Sequence, residues 1–129
     1  MPGLSALDDE TLLELVGDSA NLFWPAGSTV FTKGAPSEGL FVVLSGSVGI
    51  VGEDGAELAV LGPGEFFGEQ SLLLGVGHRH DVQAREDAEL MVVPAERFAQ
   101  LVTEHPDAAA VFRRTAQERA DATAGAARA

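Results

Sequence analysis

The segment from Gly62 to Ala84, GPGEFFGEQSLLLGVGHRHDVQA, gathers the residues best suited to hold a small charged ligand. A helical turn beginning near Gln70 and Ser71 would leave unpaired backbone N–H groups beside Gly68 and Glu69, and such groups donate to phosphate oxygens. Gly68, having no side chain, allows a close backbone approach. Arg79, returning from the following loop, can add a charge-assisted, bidentate bond to the same anion. Glu69 cannot usefully face a phosphate, so its chemistry is that of an acceptor for hydroxyls, such as those of a ribose. An anion-donor set beside a hydroxyl acceptor is what a sugar phosphate requires. The competing reading is a solvated turn with a surface Glu69–Arg79 ion pair, which contributes little.

His78 and His80 flank the arginine at alternate positions, which face the same way on an extended strand. A metal site would need Asp81 or Glu69 beside them, and His105 falls in a different element. Polar loop histidines are the favoured reading, with direct ligand contact next. A metal-dependent enzyme of the cupin type is the alternative from another class. It asks for several convergent ligands, and only two histidines, His78 and His80, precede the helical region.

Charge narrows the partners. The 129-residue chain has 20 acidic and 8 basic side chains, a formal net charge of -12, so its field repels nucleic acid and anionic lipid. Neither direct nucleic-acid contact nor membrane association is expected. Between Gly34 and Ala84 the only lysine or arginine is Arg79, so an anion held there depends on it. The absence of cysteine excludes a disulfide framework, a thiolate metal site and a cysteine nucleophile. The opening MPGLSALDDE has neither the basic start nor the apolar stretch of a signal peptide, and a cytoplasmic location is the default expectation.

The elements that must position these residues follow from period and punctuation. Ser5 to Val16 places Leu7, Thr11, Leu12, Leu15 and Val16 on one helical stripe, with Asp8, Asp9 and Glu10 near its positive end. From Asn21 the texture changes to short apolar stretches between glycine and proline turns. Strands are predicted at Thr29 to Thr32, Leu40 to Leu44, Ser47 to Val51, Glu57 to Leu61, Asp81 to Ala84 and Glu89 to Val93, with Asp54-Gly55 as a hairpin tip. Phe66 and Phe67, as neighbours on a strand, should face opposite ways. Trp24 is expected to pack an end helix onto the β-structure. After Pro94 the helical period returns: Phe98, Leu101 and Val102 share a face, and Pro106 is placed to begin a further helix with Val111, Phe112, Ala116 and Ala120 on one side. The expected organisation is one domain over residues 1–129, with a helix at 5–16, a β-roll at 21–93 and C-terminal helices at 95–122. The expected fold is mainly β, a double-stranded β-helix (jelly roll, cupin-like) with flanking helices.

These segments, in this order, resemble the cyclic nucleotide-binding domain family. PAGSTVFTKGAPSEGLFVVLSGSVGIV is similar to that family's opening strands, GPGEFFGEQSLL to its phosphate-binding cassette, and EDAELMVVPAERFAQLVTEHP to its last strand and following helix. The resemblance implies that Gly46 serves an inter-strand turn, that Gly68 and Glu69 are the phosphate-approaching glycine and ribose-binding glutamate, and that Arg79 resembles the phosphate-binding arginine. Counting forward from Glu69 reaches Arg79. Counting back from Val82 puts His78 at the arginine position and Asp81 at that of a threonine.

The candidate ligand residues are therefore Gly68, Glu69, Gln70, Ser71, His78, Arg79 and His80. The function the resemblance implies is non-enzymatic: a regulatory domain that binds cAMP, or cGMP, and signals through its C-terminal helices. Its partner is an effector domain or a separate protein, with a homodimer through those helices as one option. The alternative is a degenerate domain that keeps the fold as an interaction or oligomerisation module.

Overall fold

The computed structural model describes residues 17, 19–36, 38–74 and 77–128, without the side chains of 74 and 119–128. The opening helix expected at Ser5 to Val16 and the side chain of Ala120 lie outside these described residues. Eight strands come first: β1 (Ala20–Trp24), β2 (Thr29–Phe31), β3 (Gly39–Ser45), β4 (Val48–Val51), β5 (Glu57–Leu61), β6 (Phe66–Phe67), β7 (Asp81–Ala84) and β8 (Ala88–Pro94). A short helix α1 (Glu69–Leu74) separates β6 from β7, and α2 (Ala95–Glu104) and α3 (Pro106–Arg128) follow β8.

All strand pairs are antiparallel. They form two four-stranded sheets, ordered β1-β8-β3-β6 and β2-β7-β4-β5. The expected closed jelly roll of cupin type is thereby corrected: the domain is mainly β with flanking helices, but neither sheet closes onto the other into a barrel. The physical reason lies at the edges. β6 has only two residues and β2 only three, with a register shift between Thr29 and Phe31, so neither offers a ladder long enough to turn the corner.

Helices, not closure, cover the remaining apolar face. In β3, Leu40 and Val42 join Phe66, Met91 and Val93 in a core roofed by Phe98 and Leu101 of α2 and by Ala108 and Phe112 of α3. Phe41 and Val43 point the other way, into a second core between the sheets with Val48, Leu61, Phe67, Val82, Ala84 and Leu90. From Gly39 to Val43 both faces of β3 are dry, which is why GLFVV is a continuous apolar run without the alternation of a half-exposed strand, and only Leu44 and Ser45 at its end are exposed. Phe66 and Phe67 divide as their adjacency predicts, and each is buried in a different core.

Trp24 lies in β1, meets Phe41 edge-on at 6.4 Å and packs against the inter-sheet core. The Asp54-Gly55 tip joins β4 to β5, with Gly52 N–H donating to the Ala56 carbonyl at 2.8 Å. Gly46, between β3 and β4, has φ +76°, and a Cβ there would lie 2.2 Å from the Asp87 carbonyl oxygen. Only glycine fits that approach. Pro94 stands at the start of α2, and the His105 N–H returns to the Leu101 carbonyl at 2.8 Å to close it. Pro106 then opens α3, where its missing N–H is no loss. Among the described residues no helix is long and apolar enough to cross a membrane.

Phe112 is fully buried and meets both Phe66, at 4.9 Å, and Phe98, at 5.0 Å, in edge-to-face contacts. It is the pin that holds α3 to the sheet. Phe112→Ala should lower the unfolding free energy by about 3–5 kcal/mol, the usual loss for a truncated core phenylalanine. Urea denaturation checks this, and a loss below about 1 kcal/mol would show that α3 is docked by other contacts.

Candidate functional site

The site is assembled from two segments that leave the sheets side by side. The first begins at β6. With Phe66 fixed in the helix-side core and Phe67 between the sheets, the chain turns at Gly68 with φ +91°. A Cβ there would stand 3.0 Å from the Gly39 carbonyl oxygen and 3.3 Å from Phe41 Cδ1. Glycine is required both by the dihedral and by this approach. Glu69 opens α1 immediately afterwards, and its side chain is fully buried. Gln70 sends its amide away from the sheets, Nε2 donating to the Ala116 carbonyl of α3 at 2.9 Å.

The second segment runs from Gly77 into β7. It is strapped to the β2–β3 loop by three bonds: Gly34 N–H to the His78 carbonyl at 2.8 Å, His78 N–H to the Ala35 carbonyl at 2.9 Å, and Lys33 N–H to Asp81 Oδ1 at 2.6 Å. Asp81 is not part of the cleft lining. Its carboxylate holds the loop, which is how an acid is accommodated beside a site suited to an anion.

Between the segments lies a cleft open to solvent. Gly68, Glu69, Gln70, Ser71, His78, Arg79 and His80 all line it, so the structure brings the seven sequence-selected residues together. Its apolar wall was not anticipated. Phe31, Val82 and Ile50 are neighbours in register across β2, β7 and β4, and with Phe67 they complete the lining. The alternation of Ile50 with Gly49 and Val51, and of Val82 with Asp81 and Gln83, carried that signal, but cross-strand register was needed to see one wall.

The two histidines differ. His78 is 4% exposed; its ring stacks on Phe31 at 3.5 Å and 7°, and its Nδ1 is 3.1 Å from the Ser71 hydroxyl. Burial pushes its pKa below the ordinary histidine value, partly opposed by Glu38. His80 is half-buried, and its pKa is lowered first by burial and then by the positive charges of Arg79 and Lys33, against the opposing pull of Glu53 and Asp81. Arg79 is exposed at the cleft's edge. Lys33 Nζ pairs with Glu53 outside the cleft. Among the described residues no three histidine or carboxylate side chains are grouped so as to hold a metal ion.

Comparison with known proteins agrees with this architecture. Residues 22–105 match the family described as "Cyclic nucleotide-binding domain". The chain belongs to that family, a class of ligand-binding regulatory domains. It is 33% identical over 126 residues to a cyclic nucleotide-gated potassium channel of Mesorhizobium japonicum, covering 98% of this chain and 35% of the channel. Its fold is similar to the regulatory subunit of a cAMP-independent protein kinase A from Trypanosoma brucei, with TM-score 0.78, 27% identity, and 88% of this chain and 41% of that one covered. It is also similar to the catabolite activator protein of Thermus thermophilus, with TM-score 0.73, 31% identity, and coverage of 90% and 58%. The chain thus spans between about a third and about three fifths of these relatives.

The strap predicts a definite mutational pattern. Asp81→Ala removes the acceptor of the Lys33 N–H and should cost about 0.5–1.5 kcal/mol of stability, the usual net value of such a bond. Asp81→Asn keeps an oxygen at the same position and should restore most of it. Thermal unfolding of both variants checks the assignment, which equal loss in the two would contradict.

Proposed function

We propose that this chain is the ligand-sensing module of a regulator, with cAMP as its first ligand and cGMP second. The observation that carries the reading is the placement of a fully buried carboxylate, Glu69, and an exposed guanidinium, Arg79, on the lining of one cleft. Glu69 would accept from ribose hydroxyls. Arg79 and the backbone amides next to Gly68 would take the cyclic phosphate, and the Phe31–Val82–Ile50 wall would meet the base. The purely electrostatic obstacle, a net charge of -12, is offset locally because Arg79 stands at the cleft's edge and the Asp81 carboxylate is engaged by the Lys33 N–H.

Transmission would use two links from the cassette to α3. Gln70 bonds the Ala116 carbonyl, and Phe66 packs on Phe112. A ligand that prefers one placement of α1 therefore biases the placement of α3, which is a population shift felt by an effector domain or partner protein. The two sheets and the C-terminal helices act in this scheme as one unit. The regulated activities in the names of the similar proteins, a potassium channel and a kinase regulatory subunit, fit a module that serves different outputs.

One observation favours the second reading, a domain that kept the fold without the ligand. The residue at the arginine position counted back from Val82, His78, is buried and already bonded to Ser71. Calorimetric titration separates the two. Wild type should bind cAMP, Arg79→Ala should weaken binding about 10- to 100-fold through loss of a charge-assisted bond, and Glu69→Ala should weaken it while the fold persists. Absence of heat with either cAMP or cGMP at millimolar concentration would favour the second reading.

The transmission scheme has its own test. Gln70→Ala should leave cAMP affinity within a few-fold of wild type but reduce the ligand-induced change in hydrogen exchange along residues 108–118. An unchanged response would remove Gln70 from the pathway.

A further inference from the structure

His78 occupies an unusual chemical position within the cleft. Its backbone is bonded on both sides, to Ala35 and Gly34, and its ring is held flat against Phe31. Its Nδ1 faces the Ser71 hydroxyl in the first turns of α1. The ring nitrogen left for the cleft is Nε2, on a side chain that is more than nine-tenths buried and lines the same cavity as Glu69 and Arg79.

Resting on the nucleotide reading above, we propose that His78 couples anion binding in the cleft to proton uptake. We assign the Ser71 hydroxyl as the donor to Nδ1 when no anion is bound, which puts the neutral ring's proton on Nε2 and offers a single donor to the ligand. When an anionic phosphate arrives, the negative charge favours the imidazolium. Nδ1–H then donates to the Ser71 oxygen, a reversal that a hydroxyl accepts without loss of the bond. One proton passes from solvent to Nδ1, and no other bond is made or broken. A cleft with arginine at this position would hold its charge at every pH, whereas a histidine gains its charge only when the anion is bound.

The surrounding charges are consistent with that balance. Glu38 faces the ring from the β2–β3 loop and favours protonation. Glu69 from α1 and Arg79 and His80 from the β7 segment line the same cleft. Burial lowers the pKa of the ring. The sign of the linkage follows: a bound anion raises the histidine's pKa above its free value, so affinity is highest below the free pKa and falls as pH rises through the bound pKa. A cyclic phosphodiester keeps one negative charge throughout this range, so the ligand does not titrate.

The test is calorimetric titration of the full chain with cAMP between about pH 5.5 and about pH 8, in two buffers of different ionisation enthalpy, with wild type, His78→Gln and His80→Gln. Affinity should be at least about threefold higher at the acid end, with net proton uptake near neutrality that survives H80Q and disappears in H78Q. NMR titration of the wild-type His78 ring, which needs no variant to fold, should show its pKa rise on adding cAMP. Binding without proton uptake, or uptake lost in H80Q and kept in H78Q, overturns the inference and leaves the nucleotide reading standing. No binding of cAMP or cGMP at any pH overturns both, and the failure is then that of the ligand.

Discussion

Phe66 and Phe67 are consecutive residues in a two-residue strand, and they are buried in different cores. Phe66 is gripped by Phe112 of the last helix, whereas Phe67 stacks on Phe41 at 5.0 Å between the sheets. Everything in the cleft hangs from this double attachment. Because the strand cannot slide or rotate without withdrawing one ring from its core, the chain leaves it in a fixed direction. Gly68 then turns it and Glu69 is delivered, buried, to the cleft floor. The same attachment ties the cleft to α3, since a shift of β6 moves the ring on which Phe112 rests.

The opposite side of the cleft is fixed by backbone hydrogen bonds more than by packing. The β2–β3 loop pairs with the segment before β7 through Gly34, Ala35 and His78, and Asp81 adds a side-chain bond to Lys33 N–H. That arrangement holds the backbone around Arg79 while leaving its side chain exposed. A hydrogen-bonded backbone frame carrying an exposed long cation suits recognition of a small anion, because little backbone order has to be created on binding. The aromatic series Phe41, Phe67, Phe31 and His78 continues from the inter-sheet core to the cleft, so the site is an extension of the core's edge and not a loop appended to it.

Local features of this design were legible in the sequence. The glycine before Glu69, the helical turn after it, the isolated Arg79, the Asp54-Gly55 hairpin and the prolines that open α2 and α3 all depend on residues within a few positions of one another. What escaped depended on distant partners. Gln70 reads as a ligand residue by its place in the cassette, but its side chain bonds a carbonyl 46 positions away. Asp81 reads as an unwelcome charge until Lys33 N–H is found beside it. The sheets were expected to close, because short strands with frequent turns give no indication that helices will cover the outer face of one sheet instead. β1 is not legible as a strand because of its mixed composition, whereas the strand pair Phe66–Phe67 is.

The central claim is that a cyclic nucleotide sits between α1 and the β7 segment and that α3 senses it. Amide chemical-shift mapping of the isotopically labelled chain during titration with cAMP tests both halves together. The account predicts saturable shifts at Gly68 to Leu73 and at His78 to Val82, accompanied at the same ligand concentrations by shifts along 108–118 in α3. Shifts confined to other surfaces would contradict the site, and shifts at the cleft with none in α3 would contradict the coupling.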